Sequence, residues 1–176
     1  MTTATSTRFR AATDADLPAV VEAYNAGIEE RVATFETEPR TIADVAGWPT
    51  DGQPFVVAER DGRVVGFARA DAYSDRCVYS GVGEHAVYVA RAARGQGLGR
   101  QLLEALAAEC ERRGFYKLTS RVFSDNPASL AAHRAADFEE VGVQRRHGKL
   151  DGVWKDCVLV ERLLGEAARS EPHGAP

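Results

Sequence analysis

The stretch Val87-Tyr88-Val89-Ala90-Arg91-Ala92-Ala93-Arg94-Gly95-Gln96-Gly97-Leu98-Gly99-Arg100 decides the fold. An apolar run ends, a turn with three glycines follows, and a leucine-striped helix begins at once. Glycine removes the side chain that would keep backbone N–H groups from an anion. A helix start adds unpaired N–H donors and the positive end of the dipole. Arg94 and Arg100 add charge. The segment therefore reads as a cradle for phosphate. A Rossmann turn needs GxGxxG, and Gly95-Gln96-Gly97-Leu98-Gly99 has the wrong spacing. The GxxxxGK[ST] loop of P-loop nucleotide-binding proteins is absent.

Working outward, Leu98, Leu102, Leu103, Leu106, Ala107 and Cys110 recur at helical spacing and predict a helix from Leu98 to Arg113, ended by Gly114. Glu84 to Val89 reads as the strand before the turn, and Tyr116 to Phe123 as the strand after the helix. Pro127, tolerated in a first helical turn, opens another helix after Asp125-Asn126. Upstream, Asp61-Gly62 joins apolar runs Phe55 to Arg60 and Arg63 to Ala72 as a hairpin. Asp151-Gly152 does the same for Glu140 to His147 and Val153 to Leu163. A short strand near Arg8 to Ala11 precedes an amphipathic helix carrying Leu17, Val20, Val21, Tyr24 and Ile28, with Thr13 as its N-cap. Thr41 and Asp44 open a second short helix ending near Trp48-Pro49. The order β-α-α-β-β-β-α-β-α-β-β implies an α/β fold, a mixed sheet with helices on its faces.

The 176 residues, 44% hydrophobic and 27% charged, fit one domain over residues 8–165. Residues 1–7 read as a loose polar tail without a signal segment, and residues 166–176 as a disordered tail. A formal charge of −4 argues against nucleic acid as a partner. No apolar run approaches the length of a membrane span. Cys77, Cys110 and Cys157 lack the spacing of a metal site and read as reduced thiols of a cytoplasmic protein, Cys110 as a core residue.

Arg94-x-x-Gly97-x-Gly99 resembles the [QR]xxGx[GA] pyrophosphate loop of the GNAT acetyltransferase superfamily. Asn126-Pro127-Ala128-Ser129, His133 and Asp137-Phe138 are similar to its Asn-x-x-Ser … Gly-Phe segment, with Asp137 replacing the usual Gly in a changed turn. The resemblance implies a mostly antiparallel mixed sheet with one splayed pair of strands and helices on both faces. It implies acetyl-CoA as cofactor, bound by Tyr88, Val89, Arg94, Gly95, Gln96, Gly97, Leu98, Gly99, Arg100, Asn126 and Ser129.

Four further stretches resemble the phosphinothricin/arsinothricin N-acetyltransferases: Phe35-Glu36-Thr37-Glu38-Pro39-Arg40-Thr41, Arg76-Cys77-Val78-Tyr79, Glu84-His85-Ala86-Val87-Tyr88-Val89 and Gly152-Val153-Trp154-Lys155-Asp156. This resemblance implies transfer to the α-amine of a small acidic amino-acid analogue, a resistance role and a homodimer. An ammonium must lose a proton before it attacks a thioester, and the family match assigns the base to Glu84. The thioester oxygen gains charge as the amine adds, and by resemblance a backbone N–H near Val89 stabilises it. His133 stands where a general acid for the departing thiolate is expected. Arg76, with Phe35, Tyr73 and Tyr79 as walls, is the expected holder of the acceptor's anionic groups. Trp154 reads as a packing residue first and a pocket or subunit-interface residue second, Asp156 as a loop anchor, and Lys149 and Lys155 as solvated.

Two alternatives stay open. One is a GNAT acting on another amino acid, amine or peptide N-terminus, methionine sulfoximine and sulfone included. The other is a non-catalytic acyl-CoA sensor, against which Glu84 speaks. No metal is implied.

Overall fold

The computed structural model describes residues 6–170, so the expected tail at residues 1–5 and its counterpart at 171–176 lie outside the described residues. Seven strands form one sheet in the order β1-β2-β3-β4-β5-β7-β6. They are β1 (Thr7–Ala11), β2 (Phe55–Arg60), β3 (Arg63–Ala72), β4 (Val82–Val89), β5 (Lys117–Phe123), β6 (Glu139–Leu150) and β7 (Val153–Leu163). The helices are α1 (Leu17–Glu30), α2 (Ile42–Val45), α3 (Leu98–Arg112), α4 (Pro127–Ala135) and α5 (Gly165–Arg169). All neighbouring strands run antiparallel except β4 and β5.

Both Asp-Gly hairpins form as expected. Asp61 and Gly62 have φ of 51° and 75°, and Asp151 and Gly152 have 48° and 81°. Left-handed φ at both central residues is what a two-residue turn needs to match strand twist. Thr41 precedes α2 as expected. Thr13 opens a 3-10 turn, Asp14–Asp16, that leads into α1, whose own N-cap is Asp16. At each site the Asp three residues on accepts the Thr N–H and hydroxyl.

Alternation along β2 and β3 divides the core. Val56, Ala58, Ala68 and Ala70 face the leucines of α3. Phe55, Val57 and Phe67 face Leu17, Val20 and Ala23 of α1 and Val45 of α2. Cys110 is fully buried in the α3 layer, as its stripe predicts. Helices thus cover both faces of the sheet.

Three expectations need correction. β6 continues past His147 to Leu150 through a bulge between Gln144 and Gly148. Arg146 sits there at φ 49°, and the Asp156 side chain accepts its N–H at 2.7 Å, the anchoring role expected of that residue. Residues 166–169 are not a frayed tail but most of α5, while Thr7 already belongs to β1. Trp154 is half exposed with Lys149 over its ring, and Lys155 pairs with Asp125 at 2.5 Å beneath the Phe123 ring.

The strand pair that matters most is the parallel one. β4 and β5 pair over Val82–Glu84 and Lys117–Thr119 only, then separate. α3 crosses from one to the other on the β2–β3 face.

Leu106 has no exposed surface and sits at the centre of the α3 layer. Leu106→Ala is expected to lower unfolding free energy by about 2–5 kcal/mol through lost burial and a residual cavity. Urea denaturation with an unchanged m-value checks this.

Candidate active site

The separation of β4 from β5 opens a cleft of about 610 Å³. The phosphate turn, the free half of β4, the end of β5 and α4 line it. Gly95 and Gly97 adopt φ of 71° and 78°, the left-handed region that side chains disfavour. Gly97 is the N-cap of α3. Among the described residues, the N–H groups from Gly95 to Arg100 have no backbone or side-chain acceptor. A turn of six unsatisfied donors at a helix start fits a diphosphate. Gly99 lies 3.4 Å from the Ala132 Cβ as a Cβ would be placed, so it also admits α4 close to α3.

The arginines are partnered differently from expectation. Arg94 donates from Nε to the Val89 carbonyl at 2.9 Å and from Nη1 to Glu30 at 2.7 Å. Arg91 also holds Glu30, at 2.6 Å. Burial pushes the Glu30 carboxyl up, but hydrogen bonds from Arg91 and Arg94 outweigh it and hold it below its ordinary value. Arg100 lines the cleft and pairs with Glu104 at 2.8 Å. Gln96 alone of the turn turns its side chain away, accepting from Arg60 at 2.5 Å, and does not line the cleft.

Backbone direction supplies a second set of donors. The Ala90 N–H bonds to Val65 on β3 at 2.9 Å. Successive peptide groups in a strand point to opposite edges. The Val89 N–H therefore faces the opening left by β5, where the sequence reading expects an oxyanion donor. Tyr88 lines the cleft and seats its ring on the α1 side of the sheet, stacked 5.4 Å from Phe67 and tilted 4.6 Å from Tyr24.

Asn126 and Ser129 line the cleft from α4. Asn126 Oδ1 accepts the Ser129 N–H at 3.1 Å and its amide donates to the Val32 carbonyl at 2.9 Å. It thus caps α4 and ties the loop after α1 to the cleft. Asp137, standing in for Gly, has φ 62°, which short polar side chains tolerate.

His133 lines the cleft from α4 and is buried. Its Nδ1 lies 2.7 Å from the Ser129 carbonyl, so Nδ1 carries the proton. Its Nε2 lies 3.0 Å from Nε2 of His85. The network assigns a neutral His133 that accepts from His85, with both of its nitrogens facing protein. Burial lowers the pKa of His133, and burial and then the neighbouring His133 lower that of His85 well below the ordinary value. In this tautomer the ring nitrogens of His133 are engaged by Ser129 and His85. His85 Nδ1 is buried without a partner.

A smaller cavity of about 460 Å³ adjoins the cleft and shares Ala86, Tyr88, Ser120 and Arg121 with it. Glu84 and Phe35 line it, as expected. Phe35 stacks edge-on against Phe123 at 4.8 Å. A Cβ on Gly148 would meet the Phe35 ring at 2.7 Å, so glycine there lets the ring seat. Glu84 Oε1 accepts from Arg121 Nη1 at 2.6 Å, while Oε2 has no hydrogen bond from the described residues. Arg76, Tyr73 and Tyr79 line neither cavity. They form an exposed cluster on the β3–β4 loop, with Tyr73 and Tyr79 5.8 Å apart and Arg76 over the Tyr79 ring. The sequence reading missed Arg121, Asp71, His147, His85 and Glu30. Only His85, beside Glu84, lay next to a residue already singled out.

A cradle of free amides joined by a splayed strand to a carboxylate-lined pocket defines an acyl-CoA-dependent transferase. Residues 20–138 match the acetyltransferase (GNAT) family, and the chain belongs to it. It is 38% identical over 168 residues to the phosphinothricin N-acetyltransferase of Alcaligenes faecalis, covering 93% of this chain and 85% of that one. It is 32% identical over 172 residues to the L-methionine sulfoximine/L-methionine sulfone acetyltransferase of Pseudomonas aeruginosa, covering 95% and 99%. A phosphinothricin acetyltransferase from Sinorhizobium meliloti, solved with acetyl-CoA, superposes with a TM-score of 0.86 at 34% identity, covering 94% and 92%. The protein is an acetyltransferase whose acetyl donor is acetyl-CoA. The donor supplies an activated acyl group; the chain supplies the amide cradle, the Val89 N–H and the adjoining pocket. Among the described residues, no helix is long and apolar enough to cross a membrane.

Two outcomes follow from this geometry. Gly97→Val places a β-branched side chain at φ 78° in the amide cradle. It is expected to weaken acetyl-CoA binding at least ~10-fold by calorimetry, since left-handed backbone costs such residues of order 1–2 kcal/mol. The second concerns acid. His85 and His133 are held neutral in the folded chain, whereas an unfolded imidazole titrates near ~6.5. The unfolded state binds protons first as pH falls, so this contribution is complete above pH ~6.5 and declines below it. Thermal midpoints are expected to fall between pH 7 and pH 5, and a His85→Asn/His133→Gln double variant to flatten that fall.

Proposed function

We propose that this enzyme acetylates the α-amine of a small amino-acid analogue with a tetrahedral head group, of the phosphinothricin or arsinothricin kind, and so confers resistance to it. The observation that carries the reading is the position of Glu84. Its carboxylate lines the smaller cavity, and that cavity shares walls with the acetyl-CoA cleft. Glu84 Oε2, the oxygen that Arg121 leaves free, takes the proton from the acceptor ammonium. The free amine then attacks the thioester, and the Val89 N–H receives the charge that develops on oxygen. No proton transfer is assigned to His133. The likeness to the Alcaligenes faecalis enzyme supports the choice of acceptor.

One observation favours a second reading. Glu36, Asp71 and Glu84 line the smaller cavity with Arg121 as the one arginine or lysine among the lining residues described. Glu36 and Asp71 are already paired with Arg40 and Arg69, so Arg121 is the one cation left for an acceptor's anionic groups. That suits a neutral head group, a sulfone or sulfoximine, better than a charged phosphinate. The likeness to the Pseudomonas aeruginosa enzyme points the same way. The reading also carries a cytoplasmic setting, supported by three free thiols, and a homodimer, supported by family resemblance.

A thiol-release assay with acetyl-CoA against phosphinothricin, arsinothricin, methionine sulfoximine, methionine sulfone and ordinary amino acids decides among these acceptors. Turnover with none of the analogues overturns the resistance role. Glu84→Gln is expected to reduce kcat ~10²-fold or more while acetyl-CoA still binds. Wild-type turnover in that variant removes the base assignment.

A further inference from the structure

Arg121 stands on β5 just beyond the point where that strand leaves β4, since pairing ends at Thr119. Its Nη1 donates to Glu84 Oε1 at 2.6 Å and its Nε to Gln144 Oε1 at 3.0 Å. A guanidinium carries five N–H donors in a fixed fork, so three more are available. The side chain is about one-third exposed, and it lines both cavities.

The other charged groups around the smaller cavity are held from outside it. Asp71 pairs with the buried Arg69 at 2.5 Å. Glu36 is gripped by Arg40 at 2.7 Å and by the Tyr24 hydroxyl at 3.0 Å. Neither Arg69 nor Arg40 lines the cavity. Only in the Glu84–Arg121 pair do both partners face the space where an acceptor fits.

An ion pair facing a pocket is a template for a zwitterion. An α-amino acid brings an ammonium and a carboxylate on one carbon. Turning the ammonium to Glu84 and the carboxylate to Arg121 exchanges one internal pair for two external ones and leaves no charge unpartnered. The guanidinium fork matches a carboxylate with two parallel hydrogen bonds, and Gln144 holds Nε, which fixes the plane of the fork. A simple amine offers nothing to Arg121 and must compete with it for Glu84.

Resting on the reading that the acceptor is an α-amino acid, we infer that Arg121 binds the acceptor's α-carboxylate. The Glu84–Arg121 pair then selects α-amino-acid zwitterions over amines that lack the carboxylate.

The test compares kcat/KM for the best amino-acid acceptor and for its primary amide, which keeps the α-amine and loses the anionic carboxylate. Wild type, Arg121→Ala, Arg121→Gln and Arg121→Lys are assayed, with the KM for acetyl-CoA as the measure of an intact fold. Wild type is expected to prefer the acid. Arg121→Ala and Arg121→Gln are expected to reduce kcat/KM for the acid ~10²-fold, chiefly through KM, and at least ~10-fold more than for the amide, which loses only the Arg121 hold on Glu84. Arg121→Lys is expected to recover part of the loss. An equal fall for acid and amide overturns the inference, makes Arg121 only a positioning partner of Glu84, and leaves the amino-acid reading standing. A wild-type enzyme that prefers the amide or accepts only carboxylate-free amines overturns both.

Discussion

Three residue pairs of parallel ladder hold β4 to β5, and the enzyme depends on their being so few. Were the pairing to continue, the N–H groups of Val87 and Val89 would be consumed by β5 and the cleft would close. Leaving them open carries a cost, because a backbone donor removed from water without a partner is unfavourable by roughly 1–3 kcal/mol. The cleft is wide enough for water to offset that cost in the free protein. A ligand with carbonyl and phosphate oxygens is the partner such a row of donors suits. The same logic governs Gly95 to Arg100, where the chain again leaves donors unmet at a helix start.

The separation has to be held open. His85 is the first residue of β4 past the ladder, and it meets His133 of α4 at 3.0 Å. Phe138 packs against both rings, at 4.8 and 5.2 Å. This polar-aromatic cluster fills the vertex of the splay and bonds α4 to β4 through two neutral imidazoles. A leucine pair would fill the space without fixing the distance between the elements. The hydrogen bond fixes it, and the Ser129 carbonyl orients the ring that accepts it.

Much of this was legible in the sequence, and the reason lies in locality. Asp61-Gly62 and Asp151-Gly152 fix hairpins through their own φ preferences. The Leu98–Cys110 stripe fixes α3 through a 3.6-residue period, and the glycines before it fix the turn. Glu84 was singled out because a motif surrounds it, and it does line the smaller cavity. Arg121 was not, because in Lys117–Phe123 it looks like any polar residue on an alternating strand. Its meaning comes from Glu84, 37 positions away, and from Gln144, 23 positions on. The bulge that carries β6 to Leu150 was missed for a related reason. Arg146 at φ 49° is stabilised by Asp156 on the neighbouring strand, and no periodicity signals it.

The displacement of Arg76 from the pocket sharpens what the remaining charges do. With Arg76, Tyr73 and Tyr79 gathered on an exposed loop, the described residues lining the smaller cavity include a single guanidinium, and it already touches the carboxylate proposed for proton removal. Acceptor binding and base catalysis then draw on one ion pair. Before an acceptor arrives, Arg121 occupies one oxygen of Glu84 and holds the carboxylate in place. On the proposed reading, an entering amino acid's carboxylate would draw the guanidinium toward itself, and Glu84 would turn toward the ammonium. Recognition of the acceptor would thereby free the proposed base, so that binding energy from the carboxylate is spent at the reacting nitrogen rather than on affinity alone.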